Sequence, residues 1–288
     1  MIFGSKDDGI IVQGATGTQG AFHLNLMNEY ARTVGGRGVV AGVTPGKGGQ
    51  EIHGVPIYDS VHEALDSHDA TTSVLFVPGK AAGDSIMEAA EGGIELVVAI
   101  TEHIPVKDTM KAIAYARSYN CSVVGPNSPG ILSPGEIKLG IMPAQLFSRG
   151  NVGVISRSGT LTYEVVDELT RAGIGQSTVV GIGGDPIIGE TFVDVLRRFS
   201  EDPLNDAVVL IGEVGGNLEE EGAASTDLPI AAYIAGKSAP PEKRMGHAGA
   251  IVEGGEGDAA SKIKRIEALG VPVASKPSEI PSLVRDLL

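Results

Sequence analysis

The chain has 288 residues, enough for one large domain or two moderate ones. Its 36 acidic residues outnumber the 22 basic ones, and the net charge of −14 argues against a broad nucleic-acid-binding surface. One cysteine, Cys121, excludes an intrachain disulfide and argues against a structural zinc site, and we predict no metal site in the chain. No apolar run reaches the roughly 18 residues of a membrane-spanning helix, and the first residues are too polar for a signal peptide. We therefore expect a cytoplasmic protein that binds neither membranes nor nucleic acids.

Short β-branched runs alternate with helical patterns in the first half of the chain. Strands are predicted at Gly9–Gly14, Val39–Thr44, Ser73–Val77, Leu96–Thr101 and Ser122–Gly125. Helices are predicted between them at Gln19–Thr33, Val61–Asp66, Ala81–Glu91 and Val106–Ser118. Because these strands lack polar alternation, they should be buried on both faces, which is typical of a parallel sheet covered by helices.

The stretch Pro126–Gly150 is rich in proline, contains a weak hairpin-like segment at Glu136–Met142, and is interpreted as an interdomain connection. The alternation then restarts. Strands are predicted at Asn151–Ser156, Thr178–Gly181, Ala207–Glu213, Ile230–Ala235 and Val271–Ala274. Helices are predicted at Gly159–Ala172, Gly189–Ser200, Glu219–Ala224, Asp258–Leu269 and Pro281–Leu288. The pattern predicts two α/β domains, the first of them Rossmann-like.

The first predicted strand leads into a glycine-rich turn and then a helix. Gly14, Gly17 and Gly20 are spaced by three, which permits a tight turn and close approach of a phosphate to the helix N-terminus. The second strand ends without the acid that usually holds an NAD ribose and carries Lys47 instead. A cation there suits an extra phosphate, as in NADP or in the 3′-phosphate of coenzyme A. The alternatives are a turn that binds nothing and a solvated lysine.

A further candidate edge is the segment Ile100–Glu102 at the end of the fourth predicted strand. The carboxyl ends of strands face the ligand crevice in such sheets, so Thr101 and Glu102 are placed to contact a nucleoside or a pantetheine. Ordinary helix capping after a strand is the competing interpretation.

Among the six histidines, His247 stands apart because small residues frame it on a loop. Neutral imidazole is a good nucleophile near pH 7 and can accept and release a phosphoryl group. A turn histidine with a local hydrogen bond is the alternative. Ser158, a predicted N-cap, opens a helix whose N-terminus can hold phosphate. Glu213 ends a strand and can hold the imidazole N–H, whereas Glu219–Glu221 is interpreted as a solvated first helical turn.

Seven segments together resemble the α subunits of succinyl-CoA synthetase (succinate–CoA ligase). They occur in the family's order across nearly the whole chain, and the match is specific because it rests on all of them: Gly14–Gly20, Gly42–Gly49, Ile100–Glu102, Gly125–Asn127, Ser156–Glu164, Gly181–Pro186 and Gly246–Ala250. The resemblance implies a Rossmann-like CoA-binding domain at residues 1–128. A flavodoxin-like doubly wound ligase domain is implied at residues 129–288.

The resemblance also implies roles for individual residues. It implies coenzyme A binding by Thr16, Gly17, Thr18, Gln19, Lys47, Ile100, Thr101 and Glu102. His247 would be phosphorylated with Glu213 as its partner, the phosphoryl group would be received by Ser158, Gly159 and Thr160, and Tyr163 would lie near the substrate. The implied reaction interconverts succinyl-CoA, a nucleoside diphosphate and phosphate with succinate, CoA and the triphosphate.

The same resemblance implies that this chain is active only with a β subunit. That subunit would have an ATP-grasp fold and would hold Mg²⁺ with ADP/ATP or GDP/GTP. The two subunits would form a heterodimer or an α2β2 heterotetramer. The chain itself has no P-loop motif. Subunits of ligases for acetate or malate, or of ATP-citrate lyase, share the chemistry and remain alternatives. A non-catalytic CoA-binding regulator and an NADP-dependent oxidoreductase are further ones, the last remote because no hydride-transfer residues are visible.

Overall fold

The computed structural model describes residues 2–236 and 257–288. They form two compact units, the first made of residues 3–142 and 187–189. The second contains the remaining described residues, 143–186, 190–236 and 257–288, together with Ile2. The division after residue 142 differs from the predicted boundary between 128 and 129, and the reason is a hairpin that packs on the first unit.

The first unit is built around a seven-stranded sheet in the order β3-β4-β2-β1-β5-β6-β7. Its strands are β1 (Ile10–Gln13), β2 (Val39–Val43), β3 (Glu51–Ile52), β4 (Val55–Tyr58), β5 (Thr72–Leu75), β6 (Leu96–Ala99) and β7 (Ser122–Val124). Its helices are α1 (Thr18–Val34), α2 (Val61–Ser67), α3 (Gly79–Glu91) and α4 (Val106–Ser118). Apart from the antiparallel β3–β4 pair, the neighbours are parallel, and their order is the Rossmann order. The sequence did not predict β3 and β4.

The central strands of this sheet carry mainly apolar side chains, as expected where helices cover both faces. β1, β5 and β6 are buried at every position. Helix α3 buries Ala82, Ile86, Ala89 and Ala90, the stripe expected of an amphipathic helix on a core. The predicted parallel sheet of the first domain is confirmed.

Residues 130–140 form an antiparallel hairpin of β8 (Gly130–Ser133) and β9 (Ile137–Gly140). The predicted interdomain connection is therefore regular structure. Helix α1 holds this hairpin: the Tyr30 hydroxyl donates to Ser133 O at 3.3 Å, and the Gly140 N–H points to Met27 Sδ at 3.4 Å. These contacts are the physical reason why the first unit extends to residue 142.

The second unit has parallel strands side by side in the order β14-β13-β12-β10-β11. The strands are β10 (Arg149–Ser156), β11 (Gln176–Gly181), β12 (Ala207–Gly212), β13 (Ile230–Ile234) and β14 (Val273–Ala274). The helices are α5 (Gly159–Arg171), α6 (Phe192–Glu201), α7 (Leu218–Ala223), α8 (Ala259–Ala268) and α9 (Ile280–Leu287). Counted along the chain, this order is the flavodoxin-like one, so the predicted fold of the second domain is confirmed.

Helix α6 begins at Phe192, later than the predicted start at Gly189. Thr191 caps it in a capping box: the Asp194 N–H donates to Thr191 Oγ1, and the Thr191 N–H donates to Asp194 Oδ2. Gly189 instead belongs to the first unit, where its N–H donates to Gly125 O at 2.9 Å and its carbonyl accepts from Arg117 Nη2 at 3.0 Å. No helix within residues 2–236 and 257–288 is both long and apolar enough to cross a membrane.

Candidate active site

The glycine-rich turn after β1 requires glycine at two positions. Gly14 has φ +81°, a left-handed conformation, and its N–H donates to Val43 O at 2.8 Å. At Gly20 a Cβ atom would lie 2.1 Å from the carbonyl oxygen of Gly14. The first turn of α1 can therefore pack against the end of β1 only because residue 20 has no side chain.

The N-terminus of α1 is open to solvent. Gly17 is its N-cap, and no side chain in the described part of the chain caps it by a hydrogen bond. Gly17, Thr18 and Gln19 are exposed, while Thr16 is half-buried. The first backbone N–H groups of this 17-residue helix and its dipole are therefore available to an anion, as a phosphate-binding turn requires.

Lys47 follows β2, the neighbour of β1 in the sheet. Its backbone is fixed, because its N–H lies 2.9 Å from Asp59 Oδ1 and 3.1 Å from Thr44 O. Thr44 also accepts the Thr16 N–H at 3.3 Å, so the two loops are joined at the carboxyl ends of the two strands. The Lys47 ammonium group is exposed on this edge.

The segment Ile100–Glu102 follows β6 on the same carboxyl edge of the sheet. Thr101 is buried, and its hydroxyl donates to Val77 O at 2.8 Å, which joins the ends of β5 and β6. Ile100 is half-buried, and Glu102 is exposed with His103 Nε2 3.7 Å from its carboxylate. The predicted CoA-contacting residues of all three loops thus lie on one edge of the first unit.

In the second unit, the turn after β10 opens α5. Ser158 caps the helix by accepting the Leu161 N–H at 3.5 Å, as predicted. Its own N–H donates to the hydroxyl of buried Ser156 at 3.0 Å, which holds the turn. Gly159 is half-buried and Thr160 exposed, so this helix N-terminus is also accessible to an anion.

Glu213 lies directly after β12, the strand that pairs with β10 through Ser156 and Ile211. Ligands of open α/β sheets bind where the strand order reverses, and in the flavodoxin-like order that point lies between these two strands. The Glu213 side chain is buried, and Arg157 Nε lies 3.7 Å from its Oε1. Glu213 and the Ser158 turn therefore flank one crevice of the second unit.

Glu219–Glu221 is not the solvated helical turn that the sequence suggested. Glu219 is 0% exposed and Glu220 is 9% exposed, and only Glu221 lies on the surface. Glu219 accepts from Lys262 Nζ through Oε2, and Arg157 Nη1 donates to its Oε1 at 3.4 Å. Two buried cations therefore compensate this buried carboxylate, which sequence reasoning missed.

One signal in the sequence does point to this cluster. In α8 the buried residues are Ala259, Lys262 and Ile266, at the spacing of one helix face. A lysine on an apolar face predicts a buried acidic partner, since an unpaired buried charge is very costly. Arg157 carried no such signal, because its burial follows from the turn after β10.

Tyr163 lies on α5, one turn after the N-cap, and is half-buried. Burial raises the pKa of the Tyr163 phenol, so this hydroxyl is neutral near pH 7 and able to donate a hydrogen bond. His247 lies outside the described residues. Ala235 and Gly257 lie close to the two ends of the segment that contains His247. The Ala235 N–H donates to Gly212 O at 2.9 Å, and Gly257 O accepts from the Gly215 N–H at 2.8 Å.

Comparison with known proteins identifies the class of the chain. The model of the CoA binding domain family matches residues 5–103, and the model of the CoA-ligase family matches residues 155–271. A Rossmann-like CoA-binding unit followed by a doubly wound CoA-ligase unit defines an acid–thiol ligase chain.

Curated relatives refine that class. A subunit alpha 2 of an ADP-forming succinate–CoA ligase from Archaeoglobus fulgidus is 54% identical over 97% of this chain and 96% of its own length. The corresponding alpha subunit of Methanothermobacter thermautotrophicus is 53% identical over 99% of this chain and 96% of its own, and that of Aquifex aeolicus is 51% identical over 99% and 93%. The chain belongs to the family of succinate–CoA ligase α subunits, and as an α subunit it works with a partner subunit.

Solved structures share the fold at lower identity. An ATP citrate lyase from Methanothrix soehngenii matches all of this chain with a TM-score of 0.88 and 22% identity, and this chain spans 50% of the lyase chain. An acetyl-coenzyme A synthetase from Ca. Korarchaeum cryptofilum matches 97% of this chain with a TM-score of 0.75 and 21% identity. These similarities concern the fold alone.

Proposed function

We propose that this chain is the CoA-binding and phosphoryl-carrying subunit of a succinate–CoA ligase. The reversible reaction converts succinyl-CoA, ADP and phosphate into succinate, CoA and ATP. The high identity to curated α subunits with that name supports the acid and the nucleotide. The observation that carries the site is the pairing of β10 with β12, because it brings Glu213 and the Ser158 turn to one crevice.

In the first unit, the proposed CoA site uses the exposed N-terminus of α1 for a phosphate. Thr16, Gly17, Thr18 and Gln19 form that turn, and Lys47 supplies the cation for a further phosphate. The edge Ile100–Glu102 contacts the remainder of the molecule. Local groups of this kind explain how a chain with a net charge of −14 binds an anionic ligand.

The proposed chemistry in the second unit has three steps. A phosphate oxygen attacks the thioester carbon, the C–S bond breaks, and the CoA thiolate leaves, which gives succinyl phosphate. An imidazole nitrogen of His247 then attacks phosphorus, and succinate leaves with the bridging oxygen. Finally the phosphoryl group passes from nitrogen to a terminal oxygen of ADP, which restores neutral imidazole.

The candidate site residues that the structure describes each have a proposed role in these three reaction steps. The N-terminus of α5, with Ser158, Gly159 and Thr160, holds the phosphoryl oxygens. The Glu213 carboxylate accepts the other ring N–H of His247 and stabilises its cationic form. Tyr163 donates a hydrogen bond to the substrate. Two hydrogen bonds support this assignment: the Ala235 N–H donates to Gly212 O, and Gly257 O accepts from the Gly215 N–H. They hold the residues on both sides of the His247 segment next to the turn that contains Glu213.

The nucleotide and Mg²⁺ are assigned to the partner, which we propose is a β subunit with an ATP-grasp fold. Among the residues described by the structure, no cluster of three or more His, Cys, Asp and Glu side chains is arranged to hold a metal ion. We also propose that the enzyme works in the cytoplasm, where its buried free thiol Cys121 stays reduced; cell fractionation tests this.

The decisive experiment is labelling of the co-purified complex with γ-labelled ATP. Wild-type complex should acquire acid-labile, base-stable label on this chain, and His247→Asn should acquire none. The matched control is His53→Asn, because His53 is exposed and has φ +49°, a conformation that asparagine tolerates. Label retained by His247→Asn would refute the phosphohistidine.

A second experiment tests the CoA site. Lys47→Ala should raise the KM for CoA by about 10-fold, the loss of one charge-assisted contact, while the KM for succinate stays unchanged. Lys111→Ala, an exposed lysine on α4, is the control. Equal effects on both KM values would reject the role of Lys47. A panel of acetate, malate and citrate against succinate tests the acid specificity in the same assay.

A further inference from the structure

We propose that Arg157 is the positioning residue for Glu213, through a buried array of alternating charges that also contains Glu219 and Lys262. This inference rests on the proposed function, in which Glu213 partners His247. Arg157 itself touches no reacting atom in this scheme. It acts by holding the Glu213 carboxylate at the crevice between β10 and β12.

The geometry around Arg157 supports this role. Its side chain is 3% exposed, and Nη1 lies 3.4 Å from both Gly215 O and Glu219 Oε1. The buried Nε atom makes no hydrogen bond to any described residue, and Glu213 Oε1 lies 3.7 Å from it. Movement of roughly half an ångström would close this contact to a hydrogen bond. The Arg157 guanidinium thus faces three groups, which are the Glu213 carboxylate, the carbonyl of Gly215 in the turn that follows, and the Glu219 carboxylate.

Glu219 and Lys262 complete the array. Glu219 accepts the backbone N–H of Glu213 at 3.1 Å, so it fixes the main chain of the residue whose side chain Arg157 faces. Lys262 compensates the second oxygen of Glu219, and both side chains are 0% exposed. Lys262 Nζ also lies 3.8 Å from Glu220 Oε2, and Arg265 Nη1 lies 3.8 Å from Glu220 Oε1, so three cations face three carboxylates. Of Arg157 and Lys262, Arg157 is the one that reaches Glu213 in the described contacts.

The array also connects Glu213 to the described residues that follow the His247 segment. Gly215 receives a hydrogen bond from Arg157 and donates one to Gly257 O at 2.8 Å. Lys262 lies on α8, which begins at Ala259 just after Gly257. Arg157 therefore contacts the turn on which that flank of the segment is anchored.

A purely structural role explains this arrangement poorly. A buried ion pair contributes little net stability compared with well-packed apolar residues of the same volume. Arg157 and Glu213 stand at the carboxyl edge of the sheet, where the strand order reverses, rather than in the middle of the core. The position of the charges favours a role in the site.

The test measures the single-turnover rate at which γ-labelled ATP phosphorylates the chain in the co-purified complex. Arg157→Met should lower this rate about 100-fold, the cost of a misplacement of about 1 Å at a reacting group. Arg157→Lys should retain part of the rate, because lysine keeps the positive charge but lacks the planar set of N–H donors of the guanidinium. The KM for CoA should stay unchanged in both variants. Arg197→Met removes an exposed arginine of α6 and is the control.

A double variant separates positioning from structure. If Arg157 acts through Glu213, then Arg157→Met should cause less than a 3-fold further loss in a Glu213→Gln background, because there is no charged carboxylate left to position. Full additivity of the two losses would overturn the proposal. If Arg157→Met does not yield a folded complex, the same cycle is measured with Arg157→Lys.

The outcomes distinguish this inference from the proposed function. Wild-type complex that takes up no label refutes the phosphoryl relay itself. Wild-type labelling with equally fast labelling of both Arg157 variants overturns only the positioning role. A selective loss of phosphorylation rate with unchanged KM for CoA supports the inference.

Discussion

Replacing Lys262 with methionine should destabilise the second unit more than the loss of a charge from an ion pair on the surface does. Lys262 Nζ donates to Glu219 Oε2 and lies 3.8 Å from Glu220 Oε2, with its side chain fully buried. Methionine fills much of the same volume but removes the cation. Glu219 is then left with Arg157 and the Glu213 N–H as partners inside the protein.

The magnitude follows from the burial of both partners. Removing one member of a buried ion pair costs about 3–5 kcal/mol when a charge is left uncompensated away from water. Without Lys262 the cluster has a negative charge in excess, because Arg157 faces both Glu213 and Glu219. For a unit of this size, each kcal/mol lowers the Tm by roughly 2–4 °C, so Lys262→Met should lower it by about 10 °C. Differential scanning calorimetry of the purified complex measures the shift.

Two variants test the cause of that loss. Arg171→Met breaks an ion pair with Asp167 at 2.8 Å in which Arg171 is 74% exposed, and it should cost only about 0–1 kcal/mol. Adding Glu219→Gln to Lys262→Met removes the orphaned charge and should restore about 1–3 kcal/mol. If Lys262→Met costs no more than Arg171→Met, or if Glu219→Gln brings no recovery, the reasoning from buried charge is refuted.

Three further predictions concern the first unit. Gly20→Ala should raise the KM for CoA by about 100-fold, because its Cβ would lie 2.1 Å from Gly14 O and displace the turn. Gly83→Ala in helix α3, where the nearest atom to the new Cβ would be Asp108 Cβ at 3.4 Å, should leave the KM unchanged. Burial lowers the pKa of Lys138 to about 8, so above that pH the unfolded state binds more protons than the folded state. The unfolding free energy should therefore rise by about 3 kcal/mol from pH 8 to 10.5. Urea titrations measure this rise, and Lys138→Met should lack it. Burial, with a smaller effect of the Lys138 charge, lowers the pKa of His23 to about 4. Between pH 6.5 and 4 the unfolded state binds more protons, so the free energy of unfolding should fall as the pH is lowered through this range. If the difference in unfolding free energy between wild type and His23→Leu does not change with pH over that range, the prediction is contradicted.

Much of the fold was predictable because its signals are local. Unbroken apolar runs such as Val39–Val43 and Ala207–Gly212 indicate strands covered on both faces, and they form central strands of the two sheets. The N-cap role of Ser158 was predictable for the same reason, because the side chain bonds to a backbone group three residues away.

Pairings between distant residues were not predictable from such patterns. The hairpin β8–β9 depends on α1, through bonds such as that from Tyr30 to Ser133. Gly189 joins the first unit because its backbone bonds to Gly125, whereas its local sequence is compatible with the start of α6. In both places a tertiary contact outweighed the local signal.

The sequence by itself determined the α/β class, the glycine-rich turn after β1, the capped turn after β10 and the family to which the chain belongs. Only the tertiary structure decided that Glu219 is buried, and that Arg157 and Lys262 compensate its charge. A run of three glutamates at the start of a helix has the same local pattern whether it faces water or the core. Which side it faces depends on the cations that strand β10 and helix α8 bring to it, and that information is spread over more than one hundred residues of the chain, from Arg157 to Lys262.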